Sequence, residues 1–131
     1  MSSPSVYLYY NVKVIEMVQF IEKVIIVEGK TDKKKVEEII NEPVEIICTN
    51  GTIGTGRLDE LIDYLLGKEV YVFVDADKSG ERIRKQFKRE FPEARHIYID
   101  KNYREVAAAP ENHVAAALIQ ANIHVHSKYL I

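Results

Sequence analysis

The chain has 131 residues, 47% of them apolar, and a formal net charge of −2. That length suits one domain burying roughly two-thirds of its unfolded surface, and that apolar share excludes general disorder. No apolar run is long enough to span a membrane, no signal peptide is evident, and a single cysteine, Cys48, excludes an internal disulfide, which together fit a cytoplasmic protein. The mildly acidic balance excludes binding to nucleic acid by bulk attraction, so any such contact must be local, bridged by metal or by a few clustered lysines and arginines.

Residues 1–16 show no clear period. An extra strand, a helix running on to Phe20 and a disordered extension all fit, and the run Tyr7 to Tyr10 suits packing or base stacking. From Val24 the pattern becomes regular. Val24 to Val27 is a continuous β-branched run, the signature of a strand buried on both faces. Thr31 or Asp32 can cap a helix through Asn41, with Val36, Ile39 and Ile40 inward and Pro43 blocking continuation. Val44 to Thr49 reads as a second strand holding Cys48 as a small buried residue. Asn50 to Gly56 is a glycine-rich loop, suited to a plain connection or to presenting N–H groups to a phosphate. Leu58, Leu61, Ile62 and Leu65 follow at helical spacing, with Gly67 as a stop.

Val70 to Val74 is the third strand. A helix over about Ser79 to Glu90 turns Ile83 and Phe87 inward and ends before Pro92. Ala94 to Ile99 is the fourth strand, and Pro110 suits the first turn of an alanine-rich last helix. Ile123 to Ile131 alternates partly and could add an edge strand, which would put His124 and His126 on one face. Alternating strands and helices imply an α/β fold, a roughly four-stranded parallel sheet flanked by helices, with ligands at the carboxyl ends of the strands.

Those ends carry the chemistry. The first strand runs into Glu28-Gly29-Lys30 and the third into Asp75-Ala76-Asp77-Lys78-Ser79-Gly80-Glu81. Three carboxylates brought to one sheet edge repel one another, and a hard divalent cation relieves that. Oxygen-only ligands favour Mg²⁺, Mn²⁺ or Ca²⁺ over Zn²⁺, and Mg²⁺ keeps waters that a phosphate can replace. Gly29 is expected to let the backbone turn and a ligand approach, and Gly80, at a helix start, to offer N–H groups to an anion. The alternative is that Asp77 and Ser79 simply cap the third helix. A calcium EF-hand loop is excluded, because Gln86 stands where its bidentate glutamate belongs and a strand, not a helix, precedes it.

The segments VIIVEGK (Val24 to Lys30) and VYVFVDADKSGE (Val70 to Glu81) together resemble the strand-Glu-Gly and D-x-D motifs of the Toprim domain, a module shared by topoisomerases, bacterial primases and the small ribonucleases that mature ribosomal RNA. The resemblance runs over roughly Lys23 to Asp100, and the wording is most similar to the maturation ribonucleases and type IA topoisomerases. It implies a Toprim/Rossmann-like three-layer fold, with residues 21–122 as the Toprim domain, 1–20 as an N-terminal extension and 123–131 as a tail. It also implies that Asp75 and Asp77 bind Mg²⁺ (or Mn²⁺), that Glu28 acts as general acid or base or shares the metal, and that Glu81 is a helper. Lys30 would assist catalysis and, with Gly29, Gly80 and Arg82, contact phosphate. The reaction implied is making or breaking a phosphodiester bond in RNA or DNA, in a protein that acts alone, as a homo-oligomer or with a protein partner. No topoisomerase tyrosine domain or primase zinc module accompanies these motifs, so a non-catalytic binding module and a small-molecule phosphoesterase stay open beside a nuclease.

Other features are weaker. Lys30, Lys33, Lys34 and Lys35 oppose the dipole at their helix start, which a bound phosphate or a solvated lysine face would explain. Arg82, Lys85 and Arg89 share one side of the third helix and could follow a phosphate backbone. Asp100 ends the fourth strand and could join the acidic cluster. The histidines lack the ligand number of a zinc site.

Overall fold

In a computed structural model, residues 21–130 are described. The expectations for residues 1–20, the Tyr7 to Tyr10 run included, lie outside the described residues. The elements are β1 (Lys23–Val27), α1 (Lys30–Ile39), β2 (Val44–Cys48), α2 (Thr55–Leu65), β3 (Glu69–Phe73), α3 (Lys78–Glu90), β4 (Arg95–Ile97), α4 (Glu111–Gln120) and a closing 3₁₀ turn, Ser127–Leu130. All strand pairs are parallel, in the order β2-β1-β3-β4. This is the α/β sheet that the alternation of strands and helices implied.

Burial on both faces explains why β1 and β3 read as unbroken apolar runs. Ile25, Val27, Tyr71 and Phe73 pack toward Val36 and Ile39 of α1 and Val114 and Leu118 of α4. Val24, Ile26, Val70 and Val72 point the other way, toward Leu58 and Leu65 of α2 and Ile83 and Phe87 of α3. Alternate residues of a strand face opposite sides, so each central strand serves two cores at once. Each fully buried aliphatic side chain contributes roughly 1.5–3 kcal/mol, so β1 alone supplies a large part of a domain's marginal stability.

Some boundaries differ from the expectation. Asp32 does not start α1 as its cap. It sits at the third helical position, and its Oδ2 accepts from the Gly29 N–H at 3.1 Å. Among the described residues the tail forms no edge strand; one antiparallel bridge, Ile40 to Val125, precedes the 3₁₀ turn. The tail is pinned instead by Asn41 N–H to His124 O (2.8 Å) and His126 N–H to Ile39 O (2.9 Å). β4 is shorter than expected, because the chain past Ile97 leaves the ladder toward the loop that precedes α4.

The strand order carries the functional consequence. From β1 the chain crosses to β2 on one side, then returns to β3 on the other. The connections diverge between β1 and β3, which opens a crevice at their carboxyl ends.

Candidate metal centre

Glu28 follows β1 directly, and Asp75 lies two residues beyond β3. The parallel register of β1 and β3 delivers both to the crevice. Asp77 is the N-cap of α3, its Oδ1 accepting from Gly80 N–H at 2.8 Å. One carboxylate oxygen from each of Glu28, Asp75 and Asp77 lies within 4.8 Å of the others, and all three residues are half-buried. Capping and clustering are therefore the same arrangement: the bond that starts the helix also aims Asp77 at its neighbours.

The carboxylates are oriented by donors. Glu28 Oε1 accepts from Asp75 N–H at 3.1 Å, and its Oε2 from Ser79 Oγ at 3.1 Å. Asp75 Oδ1 accepts from Val106 N–H at 2.8 Å. Burial pushes the Asp75 carboxyl up to about 6; the Val106 N–H pulls against this, while the charges of Asp32, Glu28 and Asp77 add to it. Burial also raises Glu28, against the two hydrogen bonds it accepts and with the charge of Asp77 adding. No lysine or arginine is ion-paired with any of the three among the described residues. Clustered, partly desolvated carboxylates without a compensating side chain are the donor set that a hard divalent cation would satisfy.

The two glycines act differently from expectation. Gly29 is in extended backbone (φ −136°, ψ 174°), and a Cβ there would meet only Asp32 Oδ2 at 3.6 Å. It makes no sharp turn. Gly80 offers no free N–H to an anion, because that donor is held by Asp77. Its requirement is steric: a Cβ would lie 1.9 Å from the Asp75 carbonyl oxygen. α3 rests directly on the backbone of the segment that carries the acids.

Other candidates sort by place. Lys30 opens α1 exposed to solvent. Glu81 is exposed and stands beside the cluster, outside the three-carboxylate group. Together with Asp77, it lines a cleft of about 660 Å³ whose other walls are Ala76, Lys78, Arg82, Lys85, Lys101 and Arg104. Arg82 and Lys85 share this wall as their spacing predicted, whereas Arg89 is bonded to Glu90 at 2.8 Å. Asp100 does not join the cluster; its Oδ1 accepts from Asn102 N–H in a local turn. Lys35 is no phosphate contact here either, since its ammonium donates to the Ala107 and Ala109 carbonyls. The Asn50 to Gly56 loop is clamped at Ile53, whose carbonyl accepts from Gln86 Nε2 at 2.7 Å.

Sequence reasoning missed three contributors. Ser79, read only as a cap, orients Glu28. The loop after β4 supplies Val106 N–H to Asp75 and Arg104 O to Ala76 N–H (2.6 Å), with Arg104 turning through a left-handed φ of 60°. Arg84, one of the cations on α3, is 2% exposed. Its guanidinium donates to the carbonyls of Val72 (3.3 Å), Val74 (3.2 Å) and Ile97 (2.7 Å), contacts His96 Nδ1 (3.1 Å), and stacks on Tyr98. The available signal was its spacing: Arg84 lies three residues before Phe87, on the inner side of the helix.

An open parallel sheet with a carboxylate cluster at its switch point defines a Rossmann-like α/β protein whose acidic donor set could hold a divalent cation. The sequence profile of the Toprim domain matches residues 23–104, and the chain belongs to that family. It is 59% identical over 110 residues to the uncharacterized protein YusF of Bacillus subtilis (strain 168), covering 84% of this chain and 75% of that one. A solved structure described as a small TOPRIM domain protein from Bacillus stearothermophilus superposes with a TM-score of 0.82 at 57% identity, covering 85% of this chain and 94% of that one. Ribonuclease M5 1 of Ligilactobacillus salivarius (strain UCC118) is 36% identical over 83 residues, 63% of this chain. The match takes in 44% of that ribonuclease, so this chain corresponds to less than half of its length.

Proposed function

We propose that this chain is a Mg²⁺-dependent Toprim protein of the cytoplasm that cleaves phosphodiester bonds in nucleic acid, with RNA as the first substrate class to test. The observation that carries the reading is the convergence of Glu28, Asp75 and Asp77 oxygens within 4.8 Å at the switch point of the sheet. The similarity to ribonuclease M5 over the Toprim segment supports RNA. No helix among the described residues is long and apolar enough to cross a membrane.

Asp75 and Asp77 would hold the cation, with Glu28 as third ligand or as acid and base. A bound Mg²⁺ supplies neutralisation of charge on the phosphoryl oxygens and orientation of the attacking group. Glu28, raised by burial, would take a proton from attacking water and return it to the departing oxygen. Ser79 and the Asp75 N–H hold Glu28 in one rotamer for that task. Lys30, Arg82 and the backbone near Gly29 would contact substrate phosphate, and Glu81 would assist from the cleft wall.

The test is cleavage of a panel of RNA and DNA strands in Mg²⁺ and in Mn²⁺ by wild type and by Asp75→Asn. Metal-dependent cleavage lost in the folded variant supports the reading; unchanged cleavage by the variant sinks it. A second reading, a non-catalytic metal-dependent binding module, is favoured by the mildly acidic net charge of −2. Binding that needs Asp75 and Asp77, with no turnover on any substrate, would select it.

A further inference from the structure

The cleft between α3 and the loop after β4 is lined by five cations, Lys78, Arg82, Lys85, Lys101 and Arg104, against two carboxylates. Among the described residues none of the five closes an ion pair within 4.0 Å. In a chain of net charge −2, such a concentration of unpaired positive charge is local and directional. Lys78, Arg82 and Lys85 recur every three or four residues on one side of α3, so they form a single row. Lys78 stands in the first turn of that helix, where the dipole disfavours a cation unless an anion is bound nearby.

The opposite wall is fastened to the carboxylate cluster. Arg104 O accepts from Ala76 N–H, and Val106 N–H donates to Asp75 Oδ1. Asp77 belongs both to the cluster and to the cleft lining. Whatever lies in the cleft therefore meets the carboxylate cluster at Asp77.

Resting on the nucleic-acid reading above, we infer that this cleft grips the phosphate backbone of a single-stranded polynucleotide and feeds it to the carboxylate site. A volume of about 660 Å³ holds a short stretch of one strand at a time. The cations on the two sides of the cleft, Lys78, Arg82 and Lys85 on α3 and Lys101 and Arg104 on the loop, can both be met by the flexible backbone of a single strand. The row on α3 and the pair on the loop then contact backbone phosphates without reading bases, as a charged groove does for single strands.

The test is fluorescence anisotropy of the full chain with a short 3′-labelled single-stranded RNA, in Ca²⁺ and again in EDTA, between about 50 and about 400 mM salt. Each phosphate contact on a single strand contributes about 0.7 to the slope of log affinity against log salt. Lys85→Ala and Lys101→Ala should each lower that slope by about 0.7 and weaken binding about fivefold at about 0.1 M salt. Lys128→Ala, in the 3₁₀ turn of the tail at the amino edge of the sheet, should leave both unchanged. Strand binding with wild-type slope in both cleft variants overturns the inference while leaving the nucleic-acid reading intact. A blunt duplex or a mononucleotide bound as tightly as the strand overturns the single-strand assignment. Failure of the wild type to bind any polynucleotide overturns the inference and the nucleic-acid reading together.

Discussion

The carboxylate of Glu28 accepts a hydrogen bond at 3.1 Å from the backbone N–H of Asp75, 47 positions away in the chain. One bond thus ties the end of β1 to the end of β3 across the crevice, using the side chain of one proposed metal ligand and the main chain of another. Glu28→Gln keeps an oxygen for the Asp75 N–H and keeps the volume. We expect it to fold with stability within about 1 kcal/mol of wild type, because the lost acceptor at Ser79 is replaced by an amide that the hydroxyl can accept from. Cleavage should fall by at least about a hundredfold if Glu28 moves the proton. Single-turnover assays beside urea melts check both halves.

Asp75 illustrates the opposition between function and stability. Its pKa is raised from 3.8 to about 6, chiefly by burial. A carboxyl raised on folding binds its proton more tightly in the folded state, so the metal-free protein gains stability below about pH 4 and loses it as pH rises through 6. Asp75→Asn removes the ionised group. In EDTA at pH 8 the variant should be more stable by about 1 kcal/mol after allowing for solvent screening, or about 4 °C in melting temperature, with the advantage gone near pH 4. Mg²⁺ should raise the melting temperature of wild type and not of the variant. Equal melting of the two proteins at pH 8 in EDTA would refute the assigned cost.

The two motif glycines should respond differently. Gly80→Ala drives a methyl group into the Asp75 carbonyl, so a backbone shift is unavoidable. A destabilisation of about 2 kcal/mol or more, with loss of metal binding, is expected. Gly29→Ala meets only ordinary contact and should leave the fold unchanged within about 0.5 kcal/mol. Thermal melts of both variants, with Mg²⁺ titration, separate the two roles.

Arg84 has no carboxylate partner among the described residues; three carbonyls and a histidine nitrogen satisfy it. Because guanidinium only donates, His96 Nδ1 must accept, and burial followed by the Arg84 charge holds His96 down to about 4. Arg84→Lys keeps the charge but loses the fork, and we expect a loss of about 2 kcal/mol by urea denaturation. Mg²⁺ affinity should weaken as well, since two of the carbonyls belong to the strand end that presents Asp75. A loss below about 0.5 kcal/mol would show the network to be dispensable.

Much of this was legible before any coordinates. Unbroken apolar runs rich in β-branched residues identify strands covered on both faces, and the carboxylates of Glu28, Asp75 and Asp77 follow two such runs. The strand order that brings them together comes from crossovers, which local pattern implies only as a class. The loop after β4 escaped because its contributions to the site are backbone groups, Val106 N–H and Arg104 O, and main-chain donors leave no mark in residue identity. Arg84 misled for the opposite reason: a cation among cations looks solvated until one counts turns from Phe87. The tail failed as a strand because weak alternation in Ile123 to Leu130 is outweighed by hydrogen bonds to Ile39 and Asn41.

The contact of α3 with the Asp75 carbonyl at Gly80 makes the helix a ruler. With no side chain between them, the offset from carboxylates to cations is set by covalent geometry and a rise of about 1.5 Å per residue. A strand held along Lys78, Arg82 and Lys85 would therefore present to the acids a bond at a fixed distance from the gripped phosphates. Lengthening the helix start by one residue would move the cations by about 100° around the axis as well as along it, so the proposed distance from grip to acids would be set by the spacing between Asp75 and Lys85.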